Sequence, residues 1–310
     1  MLMKHHKGHV AILMGTYNGA TFIEKQLQSI KDQEWQNWSL WVSDDGSKDK
    51  TCSMIEQVFE GSQNQCTLLA GPAKGFCENF KSLIGNLDIE ADYFAFADQD
   101  DIWHPAKLAR AVEYLQSLPE EAPAMYCSRT QLIDEQDHAL GFSPLNAKRP
   151  GFANALLQNI ASGNTMVFNA AARQLFLKII DLPLVAHDWA LYLIVSASGG
   201  NVFYDSTPSV LYRQHNANVI GNGMKLSQRL SNFVDAHQGR NRHWNDVNFS
   251  LLNRLREEMT SENQRRFDAF RQVRNSGLLA RLKFFHDSGV YHQNRLGQMT
   301  NFSYALFNKF

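Results

Sequence analysis

What constrains this chain most is the alternation in its first 135 residues, where short apolar runs and helix-like stretches follow one another four times. Runs of roughly four to eight apolar residues bounded by polar turns read as buried strands, and their alternation with helices reads as an α/β domain around a mostly parallel sheet. Strands are predicted at 10–15, 39–43, 66–70 and 93–97, followed by helices at 21–31, 49–59, 76–87 and 105–118. Pro105 suits a first helical turn, where its missing N–H costs little, and Ser47 and Asp49 are natural caps for the second helix. Farther on the pattern is less regular, with strands predicted at 124–127, 164–168, 201–204 and 209–212 and a helix at 187–198. From residue 221 the chain turns polar, Arg-rich and helical, which divides it into an α/β body, 1–220, and a helical extension, 221–310.

In open sheets of this kind ligands bind beyond the carboxyl ends of the strands. The first strand ends in Thr16-Tyr17-Asn18-Gly19, the second in Asp44-Asp45-Gly46-Ser47 and the fourth in Asp98-Gln99-Asp100-Asp101, so three polar clusters point at one crevice. Taken singly, each could be an ordinary turn or cap. The fourth is the most telling, because a nearly continuous apolar strand runs straight into three carboxylates. Buried carboxylates need a positive partner. On an extended chain Asp98 and Asp100 point the same way, and two hard oxygen ligands on one face suit Mg²⁺ or Mn²⁺ completed by water and substrate phosphates. A turn and capping cluster ahead of Pro105 is the alternative reading.

Composition narrows the partners. The hydrophobic fraction of 44% and charged fraction of 20% are those of a soluble globular protein. Residues 1–220 hold 16 basic and 24 acidic side chains, net −8, whereas 221–310 hold 14 and 7, net +7. An acidic body argues against nucleic acid, and a basic tail suggests either an anionic partner or an ordinary solvated helical face. Cys52, Cys66, Cys77 and Cys127 have no spacing that would cage zinc and read as buried thiols. No run approaches the ~20 apolar residues of a membrane span, and residues 1–9 lack the apolar core of a signal peptide, so a cytoplasmic protein is expected. His5, His6 and His9 look like a metal cluster, but termini are seldom held in place.

Several segments together give the chain a recognisable look: TYNG at 16–19, SDDGSKDKT at 43–51, GFCENF at 75–80 and FADQDDIWHPAKL at 96–108, then SGNTMVFN at 162–169, HDW at 187–189 and YRQHNANVIG at 212–221. In this combination the chain resembles family 2 glycosyltransferases of the GT-A fold, and more narrowly bacterial rhamnosyltransferases. The resemblance implies a Rossmann-like sheet with a nucleotide-sugar half at about 9–105 and an acceptor half at about 106–220. It implies that Thr16, Tyr17, Asn18, Asp45 and Asn79 line the nucleotide pocket, with Lys74 nearby. Asp98 would bind the ribose side, and Asp100 the metal, Mg²⁺ or Mn²⁺, that bridges the diphosphate. Asp188 would be the catalytic base, with Asp181 and Asp205 as nearby substitutes. Trp103, His187 and Trp189 would face the acceptor. Arg213 would stand beside the diphosphate and His215 would be a further metal ligand or phosphate contact, ahead of a lid at 216–223.

The chemistry so implied is a single inverting displacement, moving L-rhamnose from dTDP-β-L-rhamnose to a growing glycan on a lipid diphosphate during surface polysaccharide assembly. A UDP-sugar-dependent enzyme of the same family is the nearest alternative. A nucleotidyltransferase would carry a glycine-rich phosphate loop after its first strand, and GTYNGATF is not one; an inactive carbohydrate-binding scaffold would have no use for Asp98, Asp100 and Asp188. In the tail, Arg265, Arg266, Arg271, Arg274, Arg281 and Lys283 interleave with bulky apolar residues over 265–285. Such a pattern fits packing on the body, packing on a second copy in a homodimer, or peripheral contact with an anionic inner-membrane face.

Overall fold

The structure, a computed structural model, describes residues 8–62, 64–215 and 240–310. His5, His6 and the predicted lid at 216–223 lie outside the described residues. The strands are β1 Val10–Thr16, β2 Trp38–Asp44, β3 Cys66–Ala70, β4 Tyr93–Ala97, β5 Ile102–Trp103, β6 Ala124–Ile133, β7 Ala139–Phe142, β8 Val167–Asn169 and β9 Asn201–Arg213. The helices of the body are α1 Ile23–Lys31, α2 Thr51–Phe59, α3 Phe76–Gly85, α4 Lys107–Gln116, α5 Phe152–Ala155, α6 Ala170–Leu177 and α7 His187–Ala197. The tail adds α8 Arg240–Arg254, α9 Ser261–Asn275, α10 Leu278–Ser288 and α11 Arg295–Leu306.

One sheet runs β3-β2-β1-β4-β8-β6-β9-β5, with β7 beside β6. The first four strands are parallel, as their βα alternation requires, whereas β8 runs antiparallel to both β4 and β6. Register places Thr16 beside Asp44, Asp44 beside Ala70 and Met14 beside Ala97, so the polar clusters that follow these strands emerge along one edge. Alternation divides the apolar residues between two cores. Val10, Ile12, Met14, Tyr93 and Ala95 pack toward α1, α2 and α4, while Ala11, Leu13, Phe94 and Phe96 pack toward α3, α6 and α7. Each of the larger apolar side chains among these, removed from water, contributes about 1.5–3 kcal/mol, which makes a one-residue slip of register prohibitive.

Several local expectations change. The strands predicted at 201–204 and 209–212 are one strand, β9, whose parallel pairing with β6 shifts register between Ser128 and Thr130. Helix α4 begins at Lys107, two residues after Pro105, and α2 begins at Thr51, whose N–H and hydroxyl both donate to Asp49, although the residue at the cap position itself, Lys50, makes no side-chain bond. Of the four thiols Cys127 is buried and the others are half-buried. Burial pushes Cys66 and Cys127 up to about 12 and Cys77 to about 11, so these three are poor nucleophiles. His9 is held by Asn37 and Ser39.

The tail helices do not stand apart. Phe249, Leu252, Phe267, Phe270, Val273 and Phe285 are buried in the same core as Phe94 and Leu193. Within 265–285 the inward packing therefore claims Phe267, Phe270, Val273 and Phe285, and leaves Leu278 and Leu279 exposed. Among the described residues no helix is long and apolar enough to cross a membrane.

Candidate functional site

The loops after β1, β2 and β3 hold one another through backbone donors. Asn18, at φ 49°, donates its N–H to the Ser47 hydroxyl and accepts from the Lys48 N–H, and Tyr17 exchanges two backbone bonds with the Gln99 amide while its ring stays 57% exposed. Asp44 accepts from Thr16, Gly46 and Ser47; burial pushes its carboxyl up, but these donors outweigh it and hold the group below its usual value. Asp45 accepts from the N–H groups of Ala73 and Gly75, both at positive φ, and so shapes the loop carrying Lys74. Asn79 is buried, its amide donating to the Ser43 carbonyl while its Oδ1 has no partner among the described residues. Any Cβ at position 71 would meet that oxygen at 2.6 Å, so the glycine there is required by close approach.

At the end of β4 the chain does not stay extended: Gln99 and Asp100 form a turn, and the expected same-face arrangement of Asp98 and Asp100 gives way to a folded acidic loop. Its members have different fates. Asp101 is fully buried, accepting from the Asn164 amide and, at 3.3 Å, from the Arg213 N–H. Asp100 Oδ2 lies 2.6 Å from His215 Nε2, whose ring packs on Phe22. Asp98 has no side-chain hydrogen-bond donor among the described residues; burial, then the like charges of Asp100 and Asp188, hold its carboxyl well above the usual range, while Lys107 works against that rise. Carboxylates crowded in this way call for a cation. Among the described residues no three His, Cys, Asp or Glu side chains enclose a metal position. The chain would therefore offer only the Asp100–His215 pair, leaving the remaining positions to phosphate oxygens and water, as suits Mg²⁺ or Mn²⁺.

Two buried side chains that the sequence reading did not single out organise this loop. Lys107 is wholly enclosed, donates to the Asn164 carbonyl at 2.6 Å and lies 3.2 Å from the Trp103 ring centre. Burial holds its ammonium well below the usual lysine value, against the opposing pull of the Asp101 and Asp98 carboxylates. Asn164, within the SGNT segment, joins Asp101 on one side to Lys107 on the other. A lysine and an asparagine inside quoted motifs were visible; that both would be enclosed was not.

The same segment reaches the opposite wall. Gly163 donates its N–H to Asp188 Oδ2 at 3.1 Å, and a Cβ there would come within 2.9 Å of His187 Nε2. Asp188 stands in the first turn of α7, where its Oδ1 also accepts from the Trp189 N–H at 2.6 Å. Burial pushes its carboxyl up to about 6, against the donors of Trp189, Gly163 and Asn159. A partly solvated carboxyl at that value can take up a proton near neutrality.

The three residues expected on the acceptor side are packing residues. Trp103 is 2% exposed under Lys107, and Trp189 is 8% exposed, its indole donating to the Ala155 carbonyl and its ring set edge-on to Trp244. His187 stacks on Phe80 at 4.0 Å and meets Phe96 edge-on, and burial pushes its imidazole down to about 3. Large aromatic surfaces next to polar motifs look like ligand platforms in sequence, but here the cores claim them. Arg213 is also wholly buried: its guanidinium donates to the Asp100 and Asp134 carbonyls at 2.9 Å and pairs with Asp137, over the Phe22 ring. It thus braces the acidic loop from behind. Asp181 pairs with Arg254, and Asp205 with Arg110 and Tyr126.

Comparison with known proteins bears on the fold and the family. The chain is similar to the dTDP-rhamnosyl transferase RfbG of Shigella flexneri, 32% identical over 220 residues that make up 67% of this chain and 73% of that protein. It is also similar to the uncharacterized glycosyltransferase RT0329 of Rickettsia typhi, 28% identical over 133 residues, 43% of this chain and 40% of that one. Among solved structures, S. aureus TarS 1–349 superposes with a TM-score of 0.51 over 96% of this chain and 92% of that one, at 14% identity. The mannosyltransferase PcManGT from Pyrobaculum calidifontis, in complex with GDP-Man and Mn²⁺, superposes with a TM-score of 0.50 over 97% and 88%, at 16% identity. These structures carry the fold, which is that of GT-A glycosyltransferases. A family model described as glycosyl transferase family 2 matches residues 11–176, more than half of the sequence, and the chain belongs to that family.

Proposed function

We propose that this enzyme is a divalent-metal-dependent, inverting glycosyltransferase that moves L-rhamnose from dTDP-β-L-rhamnose to a hydroxyl of a growing, lipid-linked surface glycan. The observation that carries the reaction class is the grouping of Asp98 with Asp100 and Asp188: burial first, and then the like charges of the other two, lift the Asp98 carboxyl against the opposing charge of Lys107. The rhamnosyl donor rests on the similarity to RfbG.

In this reading the loops of 16–19, 44–47 and 71–79 form the nucleotide cradle, with the exposed Tyr17 ring against the base and the Asp45-held loop closing over it. Asp98 takes the ribose side, and Asp100 with His215 holds the divalent ion, which when bound would neutralise charge on the departing diphosphate. Arg213 and Lys107 act through position, fixing the loop that carries these carboxylates. Asp188 accepts the proton of the acceptor hydroxyl as that oxygen attacks the anomeric carbon and the bond to the diphosphate breaks, so the configuration inverts without a covalent enzyme intermediate.

The test is transfer from a panel of labelled nucleotide sugars with Mg²⁺ or Mn²⁺ and lipid-linked acceptors, with the new linkage assigned by NMR. Turnover from dTDP-β-L-rhamnose to an α-linked product is expected. Turnover from UDP-sugars alone would overturn the donor, a β-linked rhamnoside would overturn inversion, and no turnover from any donor would overturn the reaction class.

A further inference from the structure

The last two helices carry an apolar face that no described part of the chain covers. Leu278 and Leu279 are 49% and 84% exposed at the start of α10, and Leu296, Met299, Phe302 and Phe307 are 50–69% exposed in and just after α11. Leu296, Met299 and Phe302 recur every three residues, which keeps them on one side of the helix. The two groups adjoin, because Arg281 near the start of α10 donates to the Leu306 carbonyl at the end of α11. Scattered exposed leucines need no explanation, but a contiguous set of this size marks an interaction surface.

Charge identifies the occupant. Lys283 lies one turn beyond Leu279, Arg295 one turn before Met299, and Lys309 two residues beyond Phe307; Asp287 is the one acid of α10, and α11 and the residues after it contain no carboxylate side chain. A second copy meeting this face about a two-fold axis would set one net-positive patch against another. We propose that this face of α10 and α11 docks on an anionic phospholipid surface, with the apolar side chains entering the headgroup boundary and the cations contacting lipid phosphate. The place fits the cleft. Ahead of α11, Tyr291 accepts from Asn154 at 3.0 Å, and Ala155 holds the Trp189 indole next to the candidate base. The docked face would thus lie on the Asp188 side of the sheet, where a lipid-borne acceptor would arrive. The docking stands without the donor assignment and is read out without catalysis.

The test is flotation of the full chain with phosphatidylglycerol or phosphatidylcholine vesicles, with solution mass from light scattering. The wild type is expected to float with phosphatidylglycerol. Combined Leu279→Ser, Met299→Ser and Phe307→Ser should weaken that binding by roughly tenfold or more, since apolar burial and lipid charge act together. Combined Lys283→Glu, Arg295→Glu and Lys309→Glu should abolish the preference for phosphatidylglycerol, and it keeps the proposal testable if the serine variant unfolds by circular dichroism. The proposal is overturned if the wild type does not float, if a folded serine variant floats equally well, or if charge reversal leaves the preference intact. It is also overturned if the wild type is a dimer that the serine variant turns into a monomer, since a second copy would then own the face.

Discussion

Replacing Asp188 by Asn keeps the shape of the side chain and removes its ability to take a proton. As the acceptor's base, Asp188 contributes roughly 10²- to 10⁴-fold to turnover, so Asp188→Asn should lose that much in kcat with donor affinity nearly unchanged. The structure adds a pH signature. Burial holds the carboxyl at about 6, and the base works only when ionised, so wild-type kcat/KM should rise with pH and level off above about 6. The same burial has a cost in stability. Because the folded value lies above the ordinary 3.8, stability is lost as pH rises from about 4 through 6, reaching up to about 3 kcal/mol at full ionisation, less because the group keeps some solvent contact. Asp188→Asn lacks this titration but offers one acceptor where the carboxylate gave two to the Trp189 and Gly163 N–H groups, so its stability relative to the wild type should improve from pH 4 to pH 8 while it stays nearly inactive. Initial rates from about pH 5 to 8, with thermal unfolding of both proteins, check this. A wild-type profile flat across that range, or an Asn variant keeping more than about a tenth of normal turnover, would remove Asp188 as the base.

Asp100→Ala should weaken donor binding at least roughly tenfold and remove its dependence on Mn²⁺, as seen by calorimetric titration with and without the ion; unchanged titration counts against the metal assignment. Lys107→Met leaves the Asn164 carbonyl without its donor and removes the positive group facing Asp101, and should destabilise the fold by about 1–3 kcal/mol in chemical denaturation, whereas adding Asp101→Asn should recover part of that loss. Absence of any recovery would mean that Lys107 is not the partner of Asp101.

The parallel half of the fold was legible because each of β1, β2, β3 and β4 is a compact apolar run ending in turn residues. What escaped reading has physical causes. β5 is two residues long, β7 is largely exposed and so lacks a buried alternation, and α6 announces itself only through Asn169, whose side chain caps it by accepting from the Ala172 N–H. Asp205 to Pro208 looked like a break in β9, but β6 absorbs the irregularity as a shift of register. In the site, Asp188 was named only through the family resemblance, whereas Asp98 and Asp100 could be read from the sequence because they stand two residues apart at the end of one strand. The enclosure of Lys107, Arg213 and Trp103 could not, since it depends on segments such as 162–165 arriving from more than 50 residues away.

The break in composition near residue 220 is not a break in packing. Phe249, Leu252, Phe267 and Phe270 complete the layer over Phe168 and Leu193 on the back of the sheet. Grafting another protein's tail onto this body to redirect it within the cell would thus mean rebuilding an interior, and a chain shortened there would present a bare phenylalanine- and leucine-lined wall that invites clumping before it ever met a sugar.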